Sequence, residues 1–167
     1  EASHYVVVDN LPCQTREWYE DTSVFAGLDV GTRSVPTFGD LDADGDLDML
    51  VGRSVGVLAA YRNVGSNTNP LWQSDSSLIN DDVAKWAPDS APCLVDMNAD
   101  GDLDLAVGKS DVGLEYYRNT GSSSSPAWTQ DDFFLYTVTA GAHARPVIQD
   151  MDADGDGDII LGDEGAL

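Results

Sequence analysis

Positive charge is scarce in this chain. Eight lysines and arginines stand against thirty aspartates and glutamates over 167 residues, a formal net charge of -22. A surface of that sign repels nucleic-acid phosphates and anionic lipid headgroups, so neither is an expected partner. Cysteine is nearly missing as well. Cys13 and Cys93 stand far apart along the chain and form no CxxC pair, which removes zinc and dithiol redox motifs. One disulfide between them and two separate buried thiols stay open as equal readings. No apolar run is long enough to cross a bilayer, so membrane insertion is not expected. The opening Glu1-Ala2-Ser3-His4 does not resemble a signal peptide; any signal is expected to have been removed or to lie outside this sequence. No N-x-Ser/Thr sequon occurs, and N-glycosylation is not expected. The run Ser122 to Ser125 before Pro126 reads as a solvated loop, with O-glycan attachment as the alternative. No segment keeps a 3.6-residue apolar period through three turns, which argues against helices.

Apolar residues make up 42 % of the chain, a globular composition. The acid is concentrated. Segments 40–48, 96–104 and 150–158 hold fourteen of the thirty acidic residues, all of them aspartate. Merely solubilising acidity would mix glutamate with aspartate and scatter both. Clustering favours bound cations. Three divalent ions, six positive charges in all, would bring the formal charge from -22 to -16.

The clusters belong to an internal repeat. DLDADGDLDMLVG begins at Asp40, DMNADGDLDLAVG at Asp96 and DMDADGDGDIILG at Asp150, at nearly equal intervals. Pro36, Pro92 and Pro146 each lie four positions before the first aspartate, and Trp18, Trp72 and Trp128 precede it in nearly constant phase. The strings YRNVG at Tyr61 and YRNTG at Tyr117 keep that phase too. Within one repeat, Val35–Phe38, Asp48–Val51, Val55–Tyr61 and Leu71–Gln73 read as short strands, and Arg62-Asn63-Val64-Gly65 as a turn. The stretch 74–90, which contains Trp86, is the least readable. The expected fold is all-β: one repeat domain over 1–167 in three repeats, about 1–54, 55–110 and 111–167, each a β-propeller blade of about four antiparallel strands. The sequence opens and stops at one phase inside a blade. Since propellers usually close with four to eight blades, three are expected to be part of a longer chain or of a head-to-tail assembly.

Calcium takes six to eight hard oxygen ligands at flexible geometry. In DxDxDGxxD the side chains at positions 1, 3 and 5 converge if the backbone curls around the ion. Position 6 is glycine, where the turn needs positive φ. Position 7 offers its carbonyl and leaves its side chain free, and position 9 closes the cage. The first site is then Asp40, Asp42, Asp44, Asp46 and Asp48; the second Asp96, Asn98, Asp100, Asp102 and Asp104; the third Asp150, Asp152, Asp154, Asp156 and Asp158. Asn98 removes one charge, so the second site is expected to be weaker. An EF-hand would need Glu at position 12 and a helix after it; Val51, Val107 and Leu161 stand there, within apolar strand-like runs. Magnesium, tighter in geometry and slower to give up water, fits less well.

The motif DxDxDGxxDxxxG, preceded by a strand and a proline and returning once per repeat, resembles the FG-GAP/VCBS-type repeat of integrin α-subunit propellers and many secreted proteins. The phrase FG-GAP itself is reduced here to Thr37-Phe38-Gly39 and relatives. The resemblance implies a seven-bladed or similar propeller with three calcium ions in hairpin loops between the first two strands of each blade. It implies an extracellular or cell-surface setting and a structural, adhesive or protein-interaction role. A carbohydrate-binding propeller is the alternative: Trp18, Trp72 and Trp128 could stack on sugars, although blade packing explains their phase, and Trp86, out of phase, suits that role better. A polysaccharide-active enzyme or a filament-forming subunit is a further reading. Catalysis needs a unique constellation, and His4 and His143, the only histidines, have no partner that the sequence names. Gly52-Arg53-Ser54-Val55-Gly56 matches GxSxG, but it lies between two strands and reads as a hairpin.

Overall fold

A computed structural model describes residues 23–164 apart from 56, 80–82, 84–87, 112, 133–134, 136–137 and 156. The architecture is all-β. β1 (Val35–Gly39), β2 (Asp48–Gly52), β3 (Ala59–Asn63) and β4 (Trp72–Ser74) form one antiparallel meander. β5 (Ala91–Val95), β6 (Asp104–Lys109), β7 (Gly113–Asn119) and β8 (Trp128–Gln130) form a second of the same order. β9 (Arg145–Gln149) and β10 (Asp158–Gly162) make a two-stranded hairpin. The sole helical element among the described residues is a 3-10 turn, Ser76–Leu78, capped by Asp75. Among the described residues no helix is long and apolar enough to cross a membrane.

Corresponding strands pair in corresponding register. Gly39 faces Asp48, Val95 faces Asp104 and Gln149 faces Asp158, so each acidic loop closes a first-to-second-strand hairpin at one place. Sequence reading places the third strand too early. Val57 N–H bonds back to the Val55 carbonyl at 2.8 Å, a tight turn that uses up the first part of the apolar run. The strand begins only at Ala59 and carries Arg62 and Asn63 within it, where a turn is expected from their residue types. The boundaries drawn at 54 and 110 fall inside the sheets, between second and third strands or in the turn that joins them.

The core is built by the two-residue alternation of central strands. Leu50 of β2 belongs to one buried cluster with Leu105 and Val107 of β6, with Tyr117 and Trp128, and with Leu78 and Val83 of the segment between the sheets. Met49 and Val51 point the other way, onto Val30, Phe25, Tyr61 and Trp72. β2 is therefore buried on both faces. Each such side chain contributes roughly 1.5–3 kcal/mol of burial. First strands stack from sheet to sheet, β1 against β5 and β5 against β9. Two glycines set that spacing. A Cβ on Gly52 would lie 2.0 Å from the Ser90 carbonyl oxygen and 2.7 Å from Pro92 Cδ. One on Gly108 would lie 1.8 Å from the Ala144 carbonyl oxygen and 3.0 Å from Pro146 Cδ. The repeated proline and the repeated glycine are thus two halves of one sheet-to-sheet contact.

Candidate metal loops

The three loops share one hydrogen-bond frame, built from side-chain oxygens that receive backbone N–H groups. The carboxylate at position 1 receives the glycine N–H at position 6: Asp40 from Gly45 at 3.0 Å, Asp96 from Gly101 at 2.9 Å and Asp150 from Gly155 at 3.1 Å. The side chain at position 3 receives the N–H at position 5: Asp42 from Asp44 at 3.2 Å, Asn98 from Asp100 at 2.9 Å and Asp152 from Asp154 at 3.2 Å. The carboxylate at position 9 receives the N–H at position 2: Asp48 from Leu41 at 3.0 Å, Asp104 from Met97 at 3.2 Å and Asp158 from Met151 at 2.9 Å. Gly45, Gly101 and Gly155 have φ of 92°, 92° and 97°, as the turn requires. The alanine at position 4 is left-handed too, with φ of 59°, 59° and 61° at Ala43, Ala99 and Ala153. That strain is not evident from the residue type.

Two of the loops gather three carboxylates. Ligand oxygens of Asp40, Asp42 and Asp48 lie within 4.8 Å of one another, as do those of Asp150, Asp152 and Asp158. The second loop has only Asp96 and Asp104 at those positions, with the Asn98 amide at the third. Position 5 does not join these groups. Asp44 and Asp100 instead receive the N–H of Asp46 at 2.8 Å and of Asp102 at 3.0 Å, which closes the turn over the glycine. Nor is the position-7 side chain of the first loop free. Asp46 Oδ1 receives the Asn67 N–H at 2.8 Å, and Asn67 returns its amide to the Gly45 carbonyl at 2.7 Å. Asp156 of the third loop lies outside the described residues.

Burial grades the loops. Asp48 and Asp104 are fully buried, whereas Asp158 is only partly so. Each buried carboxylate also receives an N–H from the end of the third strand, Asn63 to Asp48 at 2.9 Å and Asn119 to Asp104 at 2.8 Å. The same asparagines accept, through Oδ1, from Gly65 and Leu71 and from Gly121 and Ala127, all at 3.0 Å. This explains the YRN-x-G strings, whose asparagine sequence reading leaves outside the site. Desolvation pushes both carboxyls above the ordinary carboxylate range, and the N–H donors oppose that only in part.

Tyr116 donates its hydroxyl to Asp104 Oδ2 at 2.6 Å, and burial, then Asp104, hold that phenol protonated well above its usual range. In the first loop Arg62 pairs instead with Asp42, while its Nε bonds Asp75 Oδ2 at 2.8 Å. Asp40 Oδ1 is buried and accepts no hydrogen bond among the described residues. Beside the two further carboxylates, this oxygen belongs to a group that could hold a metal ion.

The two described tryptophans sit in packing roles. Trp128 is buried and donates its indole N–H to the Leu78 carbonyl of the 3-10 turn at 2.8 Å; Trp72 stacks on Phe25 at 6.0 Å. Trp18, Trp86 and His4 lie outside the described residues, as does Cys13, while Cys93 carries a free thiol. Ser54 follows β2 with no helix behind it, its hydroxyl 2.8 Å from that of Thr32, so the GxSxG match lacks the strand-turn-helix of a nucleophile elbow. No protein-family model, curated protein or solved structure matches the chain.

Proposed function

We propose that the chain is a calcium-stabilised module built of propeller-type blades of the FG-GAP/VCBS kind, serving a structural, adhesive or protein-binding role outside the cell. The observation that carries this reading is the threefold return of one loop frame, with ligand-bearing side chains at the same three positions, the same left-handed alanine and the same left-handed glycine. Repulsion among clustered carboxylates needs a counter-charge, and a divalent ion supplies it. Asp40, Asp42 and Asp48 would hold the ion in the first loop, Asp96, Asn98 and Asp104 in the second, and Asp150, Asp152 and Asp158 in the third. Millimolar extracellular calcium suits sites of moderate affinity.

A head-to-tail contact, with another copy or with further repeats, is supported by the surface at either side of the stack. Pro92 and Pro146 are buried against the preceding glycine, but Pro36 is not covered in that way. A Cβ on Gly162 would meet nothing within 4 Å among the described residues. The two halves of the sheet-to-sheet contact thus recur on opposite sides.

The test is thermal melting in millimolar calcium and in EDTA, with calorimetric titration of calcium into the stripped protein. A large fall in Tm on chelation and close to three bound ions per chain are expected. Equal melting in both buffers would end the reading.

A further inference from the structure

The third sheet is incomplete where the other two continue. Among the described residues β10 pairs with β9 alone, whereas β2 and β6, its counterparts, each carry a third and a fourth strand beyond them. An unpaired strand edge offers its N–H and C=O groups as a template for another strand. Two further things are missing at the same place. Asp48 and Asp104 each receive an N–H from the last residue of a third strand, and Asp158 receives none of that kind among the described residues. Leu50 and Ala106 are both 0 % exposed, but Ile160 at the same position is 54 % exposed and its partner across the hairpin, Val147, 55 %.

The sequence holds strands that fit this gap. Tyr61 and Tyr117 stand eleven positions before Trp72 and Trp128, and Val7 stands eleven before Trp18. In that register Tyr5-Val6-Val7-Val8-Asp9 falls on β3 and Trp18-Tyr19-Glu20 on β4. A tyrosine followed by three valines favours a strand. Asp9 falls where Asn63 and Asn119 stand, with the same backbone N–H and a side-chain oxygen able to accept as theirs do. The turn between differs, Leu11-Pro12 replacing Gly65-Ser66 and Gly121-Ser122, so the match is one of strands. Residues 5–20 themselves lie outside the described residues.

The segment after them is described, and it shows on which sheet they belong. Phe25 and Leu28 pack against the cluster of Val30, Met49 and Val51, on the face of the first sheet turned away from the second. Leu78 and Val83, on the way from β4 to β5, share a cluster with Leu105 and Val107, which are the second-sheet counterparts of Met49 and Val51. Residues 23–30 thus occupy the place of a segment that enters from a preceding sheet. The third sheet of the same copy is not that sheet. Stacked sheets lie about 10 Å apart, so the third is roughly 20 Å from the first, beyond the second. The five residues from Glu20 to Phe25 span at most about 18 Å, and Phe25 lies on the far side of the first sheet.

We propose that residues 5–20 of a second copy of this chain supply the third and fourth strands of the third sheet, so that its acidic loop is completed between copies. The lent strand adds to the β10 edge, Val6 beside Ile160 as Ala60 is beside Leu50, and the Asp9 N–H reaches Asp158. The first sheet of the second copy then covers Ile160 and Val147. Pro36 of the second copy, exposed within a single chain, meets Gly162 as Pro92 meets Gly52 and Pro146 meets Gly108. In a pair the loan is mutual. Two copies make six sheets, within the range of four to eight with which blades close into a ring. The proposal rests on the blade reading given above, but not on occupancy of the loops by calcium.

The experiment joins two kinds of chain, both carrying Cys13→Ser and Cys93→Ser. One adds Val6→Cys, the other Ile160→Cys, and they are refolded together in calcium. A disulfide between the two kinds is expected on non-reducing denaturing gels, with none when Val64→Cys, an exposed position elsewhere, replaces Val6→Cys. Sedimentation of the unaltered chain should give about twice the 17.8 kDa of one copy. A separated chain has only its own surroundings at Gly162 and Asp158, so Gly162→Ala should leave melting of the dilute chain unaltered and weaken pairing about tenfold or more. A monomer at calorimetric concentrations overturns the proposal, as it would if further repeats of a longer chain were the natural cover. So does a Val6→Cys, Ile160→Cys chain that closes on itself, equal linking through Val64→Cys, or a Gly162→Ala chain that pairs as well as before. Copies that link although chelation leaves melting unchanged uphold this proposal and end the metal reading; a monomer that binds calcium does the reverse.

Discussion

The second and third acidic loops are nearly the same sequence in different surroundings. At Asp104 the carboxylate is fully buried and receives hydrogen bonds from Met97, Asn119 and Tyr116. At Asp158 it is partly exposed, and its hydrogen bond among the described residues comes from Met151. β6 lies between β5 and β7, while β10 pairs with β9 alone among the described residues. The motif therefore sets the turn, and neighbours set the burial. Loop geometry is local, whereas the environment of its closing carboxylate comes from the third strand and the next sheet.

This difference can be broken at several points. The largest effect is expected at the glycines that end the second strands. Gly108→Ala puts a methyl group into the Ala144 carbonyl, and the two sheets must part; a loss of about 3 kcal/mol or failure to fold is expected. Gly162→Ala, which meets no neighbour, should stay within about 0.5 kcal/mol. Urea unfolding of the two variants side by side measures both. Equal losses would mean that the sheet-to-sheet contact is not seated on Gly108.

Next comes the closing carboxylate. In EDTA, where metal binding plays no part, Asp104→Asn should cost about 2 kcal/mol, because the amide nitrogen cannot accept from the N–H and O–H groups turned toward it. Asp158→Asn in the same buffer should cost less than about 1 kcal/mol. In calcium each variant should bind one ion fewer, and calorimetry counts them. A smaller step is Tyr116→Phe, which removes one donor to a charged acceptor and should cost about 1.5 kcal/mol, read as a fall in Tm. The corresponding first-sheet residue is Ala60, so the first loop has no counterpart to lose. The smallest effect on stability is expected from Asn98→Asp. It gives the second loop the third carboxylate of the other two and should tighten calcium there with little change of Tm in EDTA. If calorimetry shows no gain in affinity, the side chain at position 3 does not face the ion.

Much of this was legible from residue types. The loops were, because glycine at position 6 and acids at alternate positions permit few backbone paths. First and second strands were too, because short apolar runs sit between turn residues. The third strand was not. Val55-Gly56-Val57 has the composition of a strand, and only the bond from Val57 N–H to the Val55 carbonyl reveals a turn. At position 5 the carboxylates of Asp44 and Asp100 serve an N–H of the turn, a use that spacing alone does not reveal. Gly52 and Gly108 read as punctuation at strand ends, although they are contact surfaces whose partners, Ser90 and Ala144, lie at the entry to the next sheet. Arg33, Asp89 and His143 carry no pattern that joins them. Charged residues ahead of strands look like solvated loop, and the meeting of Arg33 and His143 with Asp89 depends on stacking between sheets.

Asn63 and Asn119 each fasten two structures that lie on opposite sides of one strand end. Their backbone amides hold the acidic loop, and their side chains hold the tight turn that leads to the outermost strand. Slackening of the carboxylate cage is thereby passed on to the rim of the sheet. Solvent exchange at Gly65, Leu71, Gly121 and Ala127 should quicken when the cage loosens, although none of these residues belongs to it. The periphery of each four-stranded sheet is thus tied to its loop through a single shared residue.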